Sequence, residues 1–398
     1  MPKILITGNG FDLFHNLPTK YQHFMSIMKT IETNNFTGKV SFEDLFGNDF
    51  KCDSPNDYKG ITDDYDVQKL FFESSKLNEI KILLETNLWY MHFKNVLEID
   101  TWIDFEAEVE NIINQVCIFR KFDSKSKVKR NELSDKDILF YDFVSFNLIA
   151  RINDTAFKMN KKYINQRKSI IDIAKIFEDL SKSFEEFIVI FNRYLVDVVS
   201  VFYDVVINDD KNPFHLMSEI YTFNYTPTLE RIYGVDNSNI TYLHGKMSDV
   251  NEVQNLVLGV SDISDDIKIE KAYDFTKYYQ KIKKNSNNKF VEIPPKNQGY
   301  DEETIFYIVG HSLNESDESY ISRVFDFLKE DKYEKGKVCV FYYDSKDRDS
   351  KIRNLLTVVG EACISRLHQS KRLYFTELNS ENLIIEFNKE LYVHNMHI

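Results

Sequence analysis

A chain of 398 residues has room for two domains, or for one domain carrying a large insertion, at roughly 100 to 200 residues per domain. With 43% hydrophobic and 28% charged residues but only 12 Gly and 7 Pro, collagen-like, low-complexity and mostly disordered classes are excluded. Fifty Lys and Arg against 63 Asp and Glu leave a net charge of −13, which disfavours phosphate-backbone binding, so no direct nucleic-acid contact is expected.

The chain begins with one lysine, Lys3, and three apolar residues, Ile4 to Ile6, before Thr7 and Gly8. That is too short for a secretory h-region, and a cytoplasmic location is expected. Lys3 to Gly8 reads instead as the first strand of an open α/β sheet, followed by a tight turn at Gly8-Asn9-Gly10-Phe11-Asp12. Glycines after such a strand let the backbone approach a pyrophosphate, although the third glycine of the dinucleotide fingerprint is replaced by Leu13. A ligand loop and a structural turn are both compatible with this motif. Thr19 and Gln22 are spaced as a capping box for a helix carrying Tyr21, Phe24, Met25, Met28 and Ile31.

From residue 58 to 210 strand signals nearly vanish while apolar residues return every three or four positions, predicting a helical insertion. Its most sustained series is Ile173, Ile176, Leu180, Phe184, Phe187, Phe191, Leu195, Val198 and Phe202. Such a stripe is buried as a lid, as a core or as a homo-oligomer interface. Asn192, Arg193, Asp197 and Asp204 interrupt its most apolar part, so no membrane span is expected. Within the same region Trp102-Ile103-Asp104-Phe105-Glu106 opens a helix, with Glu106 and Glu110 on one face. Lys121 to Arg130 reads as an exposed loop.

Strand-like runs resume at Glu219 to Asn224, Ile240 to His244, Leu256 to Val260, Thr304 to Gly310, Lys337 to Tyr343 and Leu373 to Thr376. Helical patterns at Ser316 to Lys329, Lys351 to Leu367 and Glu381 to Leu391 separate the later ones. The alternation predicts an α/β fold with a mostly parallel, Rossmann-like sheet, built from residues 1–57 and 211–398 around the 58–210 insertion. The first strand must then join a sheet completed after residue 215.

In such a sheet ligands sit at the carboxyl ends of strands, where three further motifs fall. Tyr221-Thr222-Phe223-Asn224-Tyr225-Thr226 offers the Asn224 amide to a ribose or a water, unless Asn224 and Thr226 only cap the next helix. Tyr242-Leu243-His244-Gly245-Lys246 places a histidine, the side chain best suited to general-base work near neutral pH, where a structural histidine is the competing reading. Gly310-His311-Ser312-Leu313-Asn314 lacks the final glycine of a nucleophile elbow, so Gly310, Ser312 and the nearby Asp317 are read as ribose or phosphate contacts. The four cysteines, Cys52, Cys117, Cys339 and Cys363, are too scattered for a zinc knuckle or redox dithiol and are expected to be buried thiols.

Taken in order, GNGFDL, LPTKY, WIDFE, TFNYT, YLHGK and GHSL with Asp317 resemble the AbiH family of bacterial abortive-infection proteins, and more remotely the sirtuin-type NAD-binding fold. The resemblance implies antiviral defence and places NAD, as substrate and with no required cofactor, against Gly8, Asn9, Gly10, Phe11, Thr222, Gly310, Ser312 and Asp317. It implies His244 as base and Asn224 as the residue orienting ribose or water. Two departures qualify it. The zinc-binding cysteines of sirtuin deacetylases are absent, and Thr226 stands where an aspartate often follows, so Asp12, Asp104 or Glu106 is expected to supply the carboxylate. The activity expected is hydrolysis of the N-glycosidic bond of NAD on infection, set off by a phage-derived trigger. The alternatives are a nucleotide sensor acting through a partner without turnover, and a metal-dependent nuclease using Asp104 and Glu106.

Overall fold

The computed structural model describes residues 2–97, 105–117, 119, 128–129, 143–153, 156–165, 167, 170–205, 213–249, 254–286, 289–291, 304–329 and 336–395. Its main sheet has six strands, β1 (Lys3–Thr7), β2 (Glu219–Thr222), β3 (Ile240–Tyr242), β4 (Ile305–Val309), β5 (Lys337–Tyr342) and β6 (Leu373–Glu377), in the order β3-β2-β1-β4-β5-β6. Every neighbouring pair is parallel. The N-terminal strand thus sits between strands more than 200 residues later, with Ile4 beside Glu219 on one side and Phe306 on the other. The order is that of a doubly wound sheet with its switch point between β1 and β4.

Burial on both faces explains why β1 and β4 are continuous apolar runs without alternation. Ile4, Ile6, Phe306, Ile308, Val338 and Val340 share one core with Ile321, Val324 and Phe325 of α7 (Glu318–Phe327) and Leu355 of α8 (Ser345–Val359). Leu5, Tyr307, Val309 and Phe341 face the other way, onto Phe11 of α1 (Asn9–Phe14), Leu229 of α5 (Thr228–Tyr233) and Phe387 of α10 (Ser380–Asn395). The elements following β1 and β4 therefore leave toward opposite faces, opening a crevice at the strands' carboxyl ends.

The helical body packs over that end. Its long helix α4 (Ile173–Asp197) begins at Asp172, whose carboxylate accepts the Lys175 N–H at 3.1 Å, and continues as a 3₁₀ turn at Val199–Asp204. The predicted stripe is buried within the same chain, against α2 (Tyr21–Thr33), α3 (Phe105–Val116) and neighbouring helices. Phe93, Phe105, Phe187 and Phe24 form an aromatic cluster in which the Phe93 and Phe105 rings stack at 4.3 Å. Each such side chain, fully buried, stabilises the fold by about 1.5–3 kcal/mol. This core starts at Leu17 and takes in Leu256 to Phe275.

Several local expectations are corrected. The middle region contains short antiparallel pairings, Phe71–Glu73 with Lys39–Ser41, Ile149–Asn153 with Ala156–Met159, and Ile164–Asn165 with Ile170–Ile171; strands this short leave little period-two signal. Leu256 to Val260 is buried but, among the described residues, joins no sheet, and its one strand-like pairing is an isolated parallel bridge from Val260 to Thr276. Its Leu258 backbone pairs with the Gln280 side-chain amide, Leu258 N–H to Oε1 at 3.2 Å and Nε2 to Leu258 O at 2.6 Å, so an amide group replaces a neighbouring strand. The helix predicted over 351–367 is split at Gly360, whose φ of +93° ends α8 before α9 (Glu361–Gln369). The Thr19–Gln22 capping box does not form: Gln22 Nε2 donates to Asp53 O, Thr19 Oγ1 has no partner, and the His23 ring accepts the Lys20 N–H. Cys52 is exposed, whereas Cys339 is buried. Of Lys121 to Arg130 only Val128–Lys129, a strand, is described. Among the described residues no helix is long and apolar enough to cross a membrane.

Candidate functional site

Two loops meet at the switch point. The Gly8 N–H donates to Val309 O at 3.0 Å, the Gly10 N–H to Gly310 O at 2.7 Å, and the Phe11 N–H turns back to Gly8 O at 2.8 Å. A methyl group at Gly10 would stand 2.8 Å from Gly310 O, and one at Gly310 2.1 Å from the Phe11 nitrogen. The glycines are thus required by the contact of one loop with the other, and the amides of Gly8 and Gly10 are already engaged.

From this turn α1 carries Asp12 under the end of β2. Its carboxylate is 1% exposed and accepts the hydroxyls of Thr226 at 2.5 Å and Thr228 at 2.6 Å. Burial pushes its pKa up to about 6, against the opposing hydrogen bonds of Thr226, Thr228 and Asn224. Thr226 and Thr228 therefore serve Asp12, and α5 starts after Pro227 without a side-chain cap. Asn224 is held by its N–H, which donates to the Thr222 hydroxyl at 3.1 Å, while its buried Oδ1 has no hydrogen-bond partner. An unpaired buried carbonyl costs about 1–3 kcal/mol, a cost ordinarily tolerated where a ligand or water completes the bond.

A second cluster closes the ends of β3 and β4. His244 is 4% exposed, and its Nε2 approaches Asp317 Oδ1 at 3.4 Å without forming a well-aligned hydrogen bond. Asp317 Oδ2 lies 3.4 Å from His311 Nε2, and His311 Nδ1 accepts the Leu313 N–H. Opposite stands Lys277, from α6 (Lys277–Lys283), with its Nζ 2.9 Å from Glu106 Oε2 and 3.3 Å from Asp317 Oδ1. Burial opposes the Lys277 charge, but Asp317 and Glu106 outweigh it and hold its pKa above the ordinary value. Asp317, although buried, is kept well below the carboxylate range by Lys277 and the two histidines. His244 is lowered to about 4 by burial and then by Lys277, so it is neutral at pH 7. Asp317 beside Nε2 favours the tautomer with the proton there, leaving Nδ1 as the acceptor.

Both clusters open into one cavity of about 620 Å³. It collects Gly8, Asn9, Gly10, Asp12, Glu106, Asn224, His244, Gly310, Ser312 and Asp317 from the predicted set. Two predicted contacts are not in its wall. Phe11 is core, packed on His15, Phe214 and Tyr233, and Thr222 is buried with its hydroxyl receiving that of Thr7 at 2.8 Å. Asp104 lies outside the described residues. The opposite wall comes from the helical body through Tyr21, Phe191 and Leu195.

Lys277, Lys281, His311 and Tyr320 were not singled out from sequence. The helix that carries the lysines is inverted: Lys277 and Lys281 are 5% and 6% exposed, whereas Tyr278 and Ile282 are 66% and 51% exposed. Their i,i+4 spacing was the available signal, but it reads as a solvated face. Lys281 donates to the Tyr320 hydroxyl and is lowered to about 8 by burial and by Lys277. Among the described residues no group of three or more His, Cys, Asp or Glu could hold a metal ion, and the Glu106 and Asp317 carboxylates are both paired with the ammonium of Lys277.

A sequence-family model described as Bacteriophage abortive infection AbiH matches residues 4–342 of the chain. No curated protein and no solved structure matches it.

Proposed function

The chain belongs to the AbiH family of bacteriophage abortive-infection proteins, and from that premise we propose that it acts by hydrolysing the N-glycosidic bond of NAD during infection. The observation that carries this reading is the cavity at the sheet's switch point, where neutral His244, Asn224 with its unpaired Oδ1, and the Asp12 carboxylate line one space. That is the place where doubly wound sheets bind nucleotides.

In the proposed reaction the bond between ribose C1′ and the nicotinamide nitrogen breaks, and its electron pair leaves with neutral nicotinamide. The oxocarbenium-like centre is stabilised by Asp12 across the crevice. A water held by Asn224 Oδ1 forms the new bond to C1′, and its proton passes to Nδ1 of His244, whose imidazolium is stabilised by Asp317. The products are nicotinamide, ADP-ribose and one proton.

The test is a mass-spectrometric time course of NAD, nicotinamide and ADP-ribose in phage-challenged cells carrying wild-type, His244→Ala or Asn224→Ala protein. Loss of general-base help lowers turnover by about 100-fold to 10,000-fold, so NAD loss with matching ADP-ribose is expected only with the wild type. Protection of the culture at constant NAD overturns the proposal.

A further inference from the structure

We propose that the cavity contains a phosphate-binding subsite at the N-terminus of α2, formed by the Thr19 hydroxyl, the leading N–H groups of the helix and the Lys20 ammonium. This rests on the nucleotide reading of the cavity and reassigns where the phosphates of that nucleotide sit. Thr19, Lys20 and Tyr21 line the cavity. Thr19 is only 9% exposed, and its Oγ1 has no hydrogen-bond partner. Its backbone is fixed from the glycine loop, where Asn9 Nδ2 donates to Thr19 O at 3.2 Å. No side-chain oxygen caps α2, a 13-residue helix, and such an end carries positive potential and N–H donors suited to an anion.

The glycine loop is the poorer cradle, because the N–H groups of Gly8, Gly10 and Phe11 are spent on Val309, Gly310 and Gly8 carbonyls. Lys20 is not a free cation: its Nζ lies 2.7 and 2.9 Å from the Asp57 carboxylate, which also meets His23 Nε2 at 3.0 Å. With Lys20 and Asp57 cancelling, attraction comes chiefly from the helix end and the hydroxyl. Asp12, Asp57, Glu106, Asp317 and Asp347 also line the cavity. That balance suits the singly charged phosphates of a pyrophosphate diester and disfavours a doubly charged terminal phosphate.

The test is calorimetric titration of full-length wild-type, Thr19→Val and Thr19→Ser protein with ADP-ribose and with adenosine. Because Thr19 Oγ1 has no partner in the folded chain, Thr19→Val is expected to keep the wild-type melting temperature, and Thr19→Ser restores the hydroxyl. ADP-ribose is expected to bind wild type more tightly than adenosine. Thr19→Val is expected to weaken ADP-ribose binding about 10-fold, the effect of one hydrogen bond to a charged group, and to leave adenosine binding unchanged. Equal binding of the two ligands to wild type, or unchanged ADP-ribose affinity in a folded Thr19→Val, overturns the subsite. ADP-ribose binding that depends on Thr19, together with constant NAD in infected cells, would keep the subsite and remove the hydrolase reading. NAD loss with Thr19-independent binding would do the reverse.

Discussion

The Thr226 hydroxyl donates to Asp12 Oδ2 at 2.5 Å, across 214 residues of sequence. The contact ties the helix after β1 to the loop after β2 and stations a carboxylate beside Asn224, although the residue following Asn224-Tyr225 is itself a threonine. Asp12 is enclosed so thoroughly that its pKa rises to about 6, which makes it a functional candidate whose charge opposes the fold.

Replacing Asp12 by Asn should therefore alter stability in a pH-dependent way. The folded-state pKa is raised above its unfolded value, so the protonated group's stabilisation is complete below 3.8 and is lost as pH rises through about 6. The full loss is about 3 kcal/mol. The Asn variant has no such loss, so its melting temperature relative to wild type should increase between pH 4 and pH 7. A constant difference across that range would show that the carboxylate does not titrate as its burial requires.

Activity should report the same group with the opposite sense. If ionised Asp12 faces the developing cation, NAD cleavage by wild type should rise through about pH 6 and level off, since His244, at about 4, is already neutral there. In Asp12→Asn the residual rate should be low and should lack the limb near 6. A wild-type limb near 6 that persists in the variant belongs to another residue.

Lys277 gives a stability prediction without reference to turnover. Removing its charge strands Asp317 and Glu106, two largely buried carboxylates 3.3 and 2.9 Å from its Nζ. Breaking a buried pair this way typically costs about 3–5 kcal/mol. Lys277→Met should be destabilised by that order in urea at pH 7, and adding Glu106→Gln should restore part of the loss. Additive destabilisation would mean the bridge between helical body and sheet carries no coupling.

The sheet and most of the residues gathered at the candidate site's cavity were legible because each motif sits where an apolar run meets glycine or a polar cluster: KILITG, TFNYT, YLHGK and IVGHS. Their assembly followed from the rule that parallel strands expose ligand sites at one edge. Lys277 was hidden because a buried lysine contradicts the usual sorting of charge to the surface, and only the carboxylates of Glu106 and Asp317, far off in sequence, make its burial tolerable. Phe11 and Thr222 were misplaced for the converse reason. They neighbour cavity-lining residues in sequence, but the helical turn and the strand pleat direct them into the core.

Gly234, which ends α5, and Gly310 supply a matched pair of substitutions. Gly234 and Gly310 both have left-handed backbones, with φ of +64° and +68°. A methyl group at Gly234 meets nothing within 4 Å, whereas at Gly310 it stands 2.1 Å from the backbone nitrogen of Phe11. Gly234→Ala should therefore show only the conformational cost, about 1–2 kcal/mol. Gly310→Ala should lose a further 1–3 kcal/mol or more, roughly the cost of overpacking, because the obstructing atoms belong to a backbone that no rotamer change can move. Urea unfolding of the two variants measures the difference directly. Equal losses would mean that the loops can part without penalty, and the glycine at position 310 would then have to be explained by a ligand rather than by the contact with Phe11.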